Sequence, residues 1–283
     1  MAGSGRLLSL LAHLALILGV VVMVLPVYLA FIASTHSGGD FLSGRVGLLP
    51  GSLFLENYRT ALFTGSSTQG FPPVGGMLLN SFVMAMAIAL GKIAISLLSA
   101  FAVCYFRFPL RQTAFWLIFI TLMLPVEVRI LPTFQVVADL SLLNSYGGLT
   151  LPLIASATAT FLFRQVFMTI PDELTEAALI DGAGPLRFFW HVLLPLSRTN
   201  IAALFVILFI YGWNQYLWPL LVTTDTGYYT IVMGIQRLAA AAVESDPVWH
   251  LVMATAILAM LPPILVIALM QNLFVRGLTE TEK

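Results

Sequence analysis

Long apolar runs that no charged residue interrupts constrain this chain more than any other feature. Between Arg6 and Asp40 there is no Asp, Glu, Lys or Arg, and the apolar stretch at 10–33 is longer than the roughly 20 residues that a helix needs to cross a bilayer. The hydrophobic core of a signal peptide is shorter, about 7–15 residues, so we interpret this run as a retained first helix. Only 9% of the residues are charged, against about a quarter in soluble domains. The chain therefore folds in lipid.

Further apolar runs of comparable length follow the first one. The predicted spans lie at about 10–33, 78–105, 113–133, 147–168, 200–223 and 249–275. Within the runs, polar and apolar residues do not alternate, which disfavours a β-barrel. Prolines inside them, such as Pro152, kink membrane helices and are tolerated there. The sequence predicts an all-α membrane protein in which six transmembrane helices form a single domain over residues 1–283.

Lys and Arg are unequally distributed over the loops between these spans. Eight lie on one side and four on the other, and the side richer in Lys and Arg faces the cytoplasm. Both termini are therefore predicted to be cytoplasmic. The largest cytoplasmic connection is then 164–199, and the extracytoplasmic loops are 34–76, 134–146 and 224–248.

The cytoplasmic connection carries strong helix start and stop signals. Pro171 and Asp172 are typical of a helix start, and acidic residues suit the first turn because of the helix dipole. Gly182 is a natural C-terminal cap, and Pro185 fits the first turn of the next helix. Pro195 is predicted to end that second helix before the fifth span. The pattern predicts two short helices around a turn.

The residues alone leave two interpretations of the first of these helices. It has a small face at Ala177 and Ala178, flanked by Glu173 and Glu176, which another protein could approach closely. It could equally be an amphipathic connector that lies on the membrane surface. Spacing does not decide between the two.

The same segment resembles a known motif. Glu176–Ala178, then Gly182 after three residues, then Val192–Pro195 after nine more, is similar to the EAA loop of bacterial ABC-importer permeases. The chain departs from that pattern only by Val192 in place of isoleucine. In this family the loop forms a coupling helix that docks in a groove of the ATPase subunit. The resemblance implies a coupling loop at 171–196, whose predicted ATPase-contacting residues are Glu173, Glu176, Ala177, Ala178, Asp181, Gly182 and Ala183.

The resemblance extends over nearly the whole chain. Phe106–Pro109, Met123–Pro125 and Trp213–Pro219 look like the maltose-type carbohydrate-uptake permeases. More narrowly, Phe119–Ile130 and Leu149–Gln165 look like the permeases of sn-glycerol-3-phosphate importers. This implies the type I (MetI-like) permease fold in a bacterial inner membrane, with sn-glycerol-3-phosphate and related glycerophosphodiesters as substrates. The alternative within this class is a sugar or polyol permease.

The resemblance also implies the partners of the chain. They are a second, related permease in a heterodimer, two ATPase subunits and a periplasmic substrate-binding protein, besides the lipid bilayer. With 13 basic and 13 acidic residues, the chain makes no case for nucleic-acid binding.

The chain itself is expected to hold no cofactor and no catalytic or metal site. Gly91-Lys92 suggests a phosphate-binding P-loop, but Met86 and Ile93 stand where that motif requires Gly and Ser or Thr. The four histidines are scattered, without metal-ligand spacing. ATP and Mg²⁺ are expected on the partner ATPase, and the chain is not expected to be an enzyme.

Polar residues inside spans are candidates for a translocation pathway. A charge such as Lys92 near the middle of a span costs at least about 2.5–3.5 kcal/mol, so a functional role is the default. Lys92 could instead snorkel or pair with Glu127, and Glu127 could pair with Arg129. The candidate pathway residues are Lys92, Glu127, Arg129, Trp213, Asn214 and Gln215. The last three could instead bond helices together.

Other protein classes fit less well. An ion-coupled secondary transporter would need Asp or Glu inside its spans, where this chain has almost none, and would leave the coupling loop unexplained. A membrane enzyme would need catalytic groups clustered at one face. The extracytoplasmic loop 224–248 is either an ordinary connection or, as in maltose-type systems, a loop that reaches into the binding protein.

Overall fold

A computed structural model of the chain describes residues 2–65, 71–121, 126–244 and 248–279, without the side chains of 2–8, 42, 126–127, 244 and 272–279. No strand occurs in these ranges, and the all-α prediction is confirmed there. In chain order, the α-helices are α1 (Ala2–Ser34), α2 (Gly38–Leu42), α3 (Phe54–Arg59), α4 (Val74–Tyr105), α5 (Arg111–Ile120), α6 (Val126–Asp139), α7 (Tyr146–Thr150), α8 (Ala157–Met168), α9 (Asp172–Ile180), α10 (Pro185–Phe188), α11 (Leu194–Trp213), α12 (Leu217–Val222), α13 (Ile231–Glu244) and α14 (Trp249–Thr279). Short π turns lie at Thr60–Thr64 and Phe189–Leu193, and 3₁₀ turns at Leu151–Leu153 and Thr226–Tyr228.

Helices long and apolar enough to cross a membrane agree with part of the predicted set. Within the described ranges there are four, at Ser9–Ser34, Val74–Tyr105, Pro185–Trp213 and Trp249–Gln271. A fifth arises if Tyr146–Leu153 and Ala157–Met168, bent by 49°, are counted as one broken span, and the bend lies next to Pro152 as expected. The predicted third span falls on α5 and α6, and residues 122–125 between them lie outside the described residues. The count of six therefore stays a prediction.

The prediction that Pro195 ends a helix is wrong. One helix runs without interruption from Pro185 to Trp213, because the π turn Phe189–Leu193 directly precedes Pro195. A proline ring clashes with the carbonyl four residues earlier in a regular α-helix, and a local π adjustment relieves this conflict. The helix then ends at Trp213, and the predicted fifth span 200–223 is interrupted before α12.

The chain divides into two compact units. The first comprises Met1–Met77 and Gly234–Leu261. In it, hydrogen bonds tie the C-terminal end of α1 to α3: Asn57 Nδ2 donates to the carbonyls of Ser34 and His36, each at 2.9 Å.

The second unit comprises Leu78–Met233 and Pro262–Lys283. Its helices meet around α4, which α11 approaches closely where Gly212 faces Ala85: a Cβ added to Gly212 would lie 2.9 Å from the Ala85 Cα. Trp218 Nε1 donates a 3.0 Å hydrogen bond to the carbonyl of Gly148. The buried core around this bond consists of Met84, Ile88, Val137, Leu149, Trp218 and Val222.

Candidate coupling loop and translocation cavity

The first helix of the coupling loop begins and ends where the sequence predicts. α9 starts at Asp172 after Pro171, and its first turn carries Asp172 and Glu173. At its other end Gly182 adopts a φ of +68°, which lies in the left-handed region that glycine enters without the cost of a Cβ clash. Gly184 and Pro185 then open α10. These predicted capping signals are confirmed.

A paired hydrogen-bond motif holds the turn after α9. The N–H of Ala183 donates to the carbonyl of Ala178 at 2.8 Å, and the N–H of Gly182 donates to the carbonyl of Leu179 at 3.1 Å. This is the Schellman arrangement, which satisfies carbonyls at a helix end and reverses the chain sharply. The angle between α9 and the following helix is therefore set by local backbone bonds.

The predicted ATPase-contacting residues differ in their exposure. Five of them are exposed, namely Glu173, Glu176, Ala177, Asp181 and Gly182, while Ala178 and Ala183 are half-buried. The two alanines of the predicted small face therefore do not share one environment. Ala178 lines a cavity of about 180 Å³ against the chain's own aromatic residues, whereas Ala177 faces outward.

Aromatic contacts join the candidate coupling loop to the C-terminal end of α4. The ring of Tyr105 lies 5.3 Å from that of Phe188, and Phe101 lies 4.9 Å from Phe189. The hydroxyl of Tyr105 also donates a 3.3 Å hydrogen bond to the carbonyl of Phe167 in α8. The loop is thus packed against α4, α4 is bonded to α8, and the loop continues into the long helix Pro185–Trp213.

A second feature of this unit is a cavity of about 450 Å³ beside the middle of α4, here called the Lys92 cavity. Its lining combines two cations with several hydroxyl groups. The lining residues are Lys92, Ile95, Ser99, Ile118, Thr121, Arg129, Ala155, Ser156, Ala157, Thr158, Thr160 and Tyr211. Among them there is no Asp or Glu, so the described part of the cavity is positively charged.

Lys92 is buried, with 7% of its surface exposed. Its Nζ lies 3.8 Å from the centroid of the Tyr211 ring, a cation–π contact that favours the charged amine. No carboxylate among the described side chains forms an ion pair with Lys92. The side chain of Glu127 lies outside the part of the chain that the structure describes, so its pairing with Lys92 or Arg129 stays a prediction.

The remaining pathway candidates lie elsewhere. Trp213 is buried and its ring stacks on Phe209 at 5.9 Å. Gln215 donates a 3.1 Å hydrogen bond to the carbonyl of Tyr211, and Asn214 is exposed. None of these three is among the described lining residues of the Lys92 cavity, although Lys92 and Arg129 both are.

Sequence reasoning missed the residues that hold α4 against the break before α8, beside this cavity. Ser96 Oγ donates a 3.2 Å hydrogen bond to the carbonyl of Ser156, which caps α8. A Cβ on Gly91 would lie 2.7 Å from Ile154 Cγ2, so glycine allows α4 to approach the break before α8. Gly91 is thus a packing residue. In the sequence, the only signs of this contact are a glycine and a serine close to Lys92 in an apolar span.

Most of the chain matches a known protein family. Residues 77–280 match the family described as binding-protein-dependent transport system inner membrane component. The matched range contains the coupling loop and every residue of the Lys92 cavity.

Several proteins named sn-glycerol-3-phosphate transport system permease protein UgpE are similar to the chain over almost its whole length. The protein from Brucella melitensis biotype 1 is 59% identical over 275 residues, which cover 97% of each chain. The Agrobacterium fabrum protein is 59% identical over 273 residues, 96% of each. The Escherichia coli O1:K1 protein is 56% identical over 276 residues, 98% of each.

A solved structure shares the fold. It is the crystal structure of a bacterial ABC transporter involved in the import of the acidic polysaccharide alginate, one chain of which matches with a TM-score of 0.78. The match covers 95% of this chain and 97% of that chain at 21% sequence identity. At this identity the likeness concerns the fold alone.

Proposed function

Since the chain belongs to the family of binding-protein-dependent transport system inner membrane components, we propose that it is the permease subunit through which sn-glycerol-3-phosphate crosses the inner membrane. The observation that carries this proposal is the 56–59% identity to permeases named for that substrate over nearly the full length of both chains. The positively charged Lys92 cavity supports an anionic substrate, since a cation in a passage attracts a phosphate group. Glycerophosphodiesters, which share the phosphate, belong to the same proposal.

A permease of this class works with an ATPase and a substrate-binding protein. We propose the full assembly as a heterodimer with a second permease, two ATPase subunits and a periplasmic binding protein. Both termini of this chain are then cytoplasmic, and six helices cross the membrane. ATP and Mg²⁺ belong to the ATPase subunits, and this chain performs no hydrolysis.

The coupling loop is the part that the ATPase moves. The exposed acidic residues Glu173, Glu176 and Asp181 offer charge to a basic groove, and the exposed Gly182 allows a close approach. Closure of the two ATPases would displace α9 as a rigid unit, because its Schellman turn fixes it to α10. The contacts of the coupling loop with α4, and the bond from Tyr105 of α4 to α8, then transmit this displacement to the membrane helices and switch the pathway between its two openings.

The pathway is proposed to include Lys92 and Arg129, which line one cavity. Glu127, Trp213, Asn214 and Gln215 remain proposed pathway residues for other stages of the cycle. On the extracytoplasmic side, α13 lies within the predicted loop 224–248. It is a candidate contact for the binding protein.

The decisive experiment reconstitutes the complete complex in proteoliposomes. ATP hydrolysis and uptake are measured with the binding protein loaded either with sn-glycerol-3-phosphate or with maltose. Stimulation by sn-glycerol-3-phosphate alone is expected. Stimulation by the sugar alone would reject the substrate and leave the importer mechanism standing. Uptake that follows a proton or sodium gradient without ATP would reject both.

A further inference from the structure

The fourth apolar segment is broken in its middle, beside the Lys92 cavity. Tyr146–Leu153 and Ala157–Met168 meet at an angle of 49°, and Ala155, Ser156, Ala157 and Thr158 from this break line the cavity. Inside a membrane, irregular backbone is tolerated where it is buried in protein or lines an aqueous cavity. The break is thus a feature of the cavity wall.

The break turns the N-terminus of α8 toward the cavity. α8 is 12 residues long, and Ser156 caps it by accepting a 3.2 Å hydrogen bond from the N–H of Ala159. The N–H groups of Ala157 and Thr158 have no acceptor among the described residues. Free N–H groups and the positive end of the helix dipole favour an anion at such an end.

Lys92 and Arg129 face the same space from two other helices, α4 and α6. Lys92 is more than nine-tenths buried, and no described side chain supplies the hydrogen-bond acceptor or the counter-charge that its ammonium group needs. Its partner among the described side chains is the Tyr211 ring, which stabilises the charge without occupying the N–H donors of Lys92. The amine is therefore available to a ligand oxygen.

Two contacts hold α8 next to Lys92. Ser96 lies one helical turn from Lys92 on the same face of α4, and its hydroxyl donates to the Ser156 carbonyl at 3.2 Å. Gly91 lets Ile154 pack directly against α4. The positions of the helix N-terminus and the amine are thus coupled through α4.

We propose that the Lys92 cavity holds the phosphate group of the substrate during its passage, bound by the Lys92 ammonium, the Arg129 guanidinium and the free amides that open α8. This rests on the proposed function and specifies its chemistry: a phosphate monoester carries up to two negative charges, and three converging groups of positive character match it. The absence of carboxylates from the described lining fits the same ligand. The hydroxyls of Ser99 and Thr158 are placed to contact the glycerol end.

The test compares Lys92→Met, Lys92→Arg and a control in the complete importer. The control Thr255→Val removes a buried hydroxyl of α14 whose bond partner in the described part of the chain is the Leu251 carbonyl of the same helix. Uptake of sn-glycerol-3-phosphate is measured per assembled complex, together with ATP hydrolysis stimulated by the loaded binding protein. Uptake by the unmodified complex tests the proposed function separately.

Lys92→Met is expected to lower uptake about tenfold or more, because a hydrogen bond to a charged group is lost. Its stimulated ATP hydrolysis should stay within about twofold, since the coupling loop is unchanged. Lys92→Arg should restore part of the uptake lost in Lys92→Met, because arginine keeps the positive charge and stacks on aromatic rings, and Thr255→Val should retain most of the uptake. Unchanged uptake by Lys92→Met would overturn the proposal. So would a parallel loss of hydrolysis, or a Lys92→Arg protein as impaired as Lys92→Met, because either would make Lys92 a structural residue.

Discussion

The N–H of Ala183 donates a 2.8 Å hydrogen bond to the carbonyl of Ala178. The turn between them contains Gly182 in the left-handed conformation. This bond joins the end of α9 to the start of α10. It fixes the angle between the two helices, and under the proposed function this angle determines how a push on α9 reaches the membrane helices.

Replacing Gly182 should therefore uncouple ATP hydrolysis from uptake while the protein still inserts and assembles. Gly182→Ala forces a Cβ into a φ of +68°, at a cost of about 1 kcal/mol. Gly182→Pro cannot adopt that φ and also loses the N–H bonded to Leu179. Uptake per ATP hydrolysed in proteoliposomes should fall moderately for the alanine variant and almost completely for the proline variant.

The neighbouring Gly184 provides the control. Its φ is −68°, and nothing lies within 4 Å of a Cβ added to it. Gly184→Ala should therefore keep the coupling ratio of the unmodified complex. Normal coupling by Gly182→Pro would contradict the proposed role of the loop.

How far the sequence alone predicts this structure depends on the range of the interactions involved. The bounds of α9 could be predicted because Pro171, Asp172 and Gly182 influence only the backbone within about one helical turn of their own positions. Pro195 was misinterpreted for the opposite reason: whether a proline ends a membrane helix depends on the turn before it and on the packing of neighbouring helices. Helix caps can therefore be predicted from neighbouring residues, whereas the continuation of a helix through a proline depends on tertiary contacts.

The Lys92 cavity shows the same division. A lone charge in an apolar span marks Lys92 as functional from sequence, and Arg129 was a candidate for a similar reason. The ring of Tyr211 and the hydroxyl of Ser96 carry no such signal, since Tyr and Ser are common in membrane helices. Only the packing of α4 against α8 and α11 reveals that Tyr211 lines the cavity and that Ser96 bonds to Ser156 in its wall.

The cap of α8 gives a second prediction. Ser156→Ala removes the acceptor for the Ala159 N–H, which costs about 1 kcal/mol of stability, and it loosens the helix end that faces Lys92. Ser145→Ala is the control, because Ser145 caps α7 through the N–H of Gly148 but does not line the cavity. The Ser145 hydroxyl also donates to the Leu142 carbonyl, so Ser145→Ala should lower the thermal unfolding midpoint in detergent at least as much as Ser156→Ala. Only Ser156→Ala should weaken sn-glycerol-3-phosphate uptake per assembled complex. Equal uptake by the two would argue against a role for this helix end.

The contact between α11 and α4 gives a third prediction. Gly212→Ala would place a Cβ 2.9 Å from the Ala85 Cα, and because a backbone atom cannot move aside cheaply, the two helices must separate. Overpacking of this kind costs about 1–3 kcal/mol. Gly76→Ala, within α4 and with nothing within 4 Å of its added Cβ, should instead be neutral or slightly stabilising. Denaturant titration in mixed micelles measures the free energy of unfolding of each variant. Equal values for Gly212→Ala and Gly76→Ala would show that the close approach of α11 to α4 has no energetic consequence.

A last prediction concerns the polar network at the start of α4. Asn80 is buried, donates to the carbonyls of Gly227 at 2.8 Å and Tyr229 at 3.0 Å, and accepts a 2.6 Å bond from the Tyr146 hydroxyl. Tyr146→Phe should cost about 1 kcal/mol, since one acceptor loses its partner. Asn80→Ala should cost more, because it leaves two carbonyls and the tyrosine hydroxyl without Asn80 as their partner.

The two changes should not be additive, because they break one shared bond. In a double-mutant cycle, the free energy of unfolding of the combined variant should therefore fall short of the sum of the single losses by about 0.5–3 kcal/mol. Strict additivity would mean that Tyr146 and Asn80 do not stabilise each other. In that case the 2.6 Å bond would add nothing to the stability that Asn80 provides through the carbonyls of Gly227 and Tyr229.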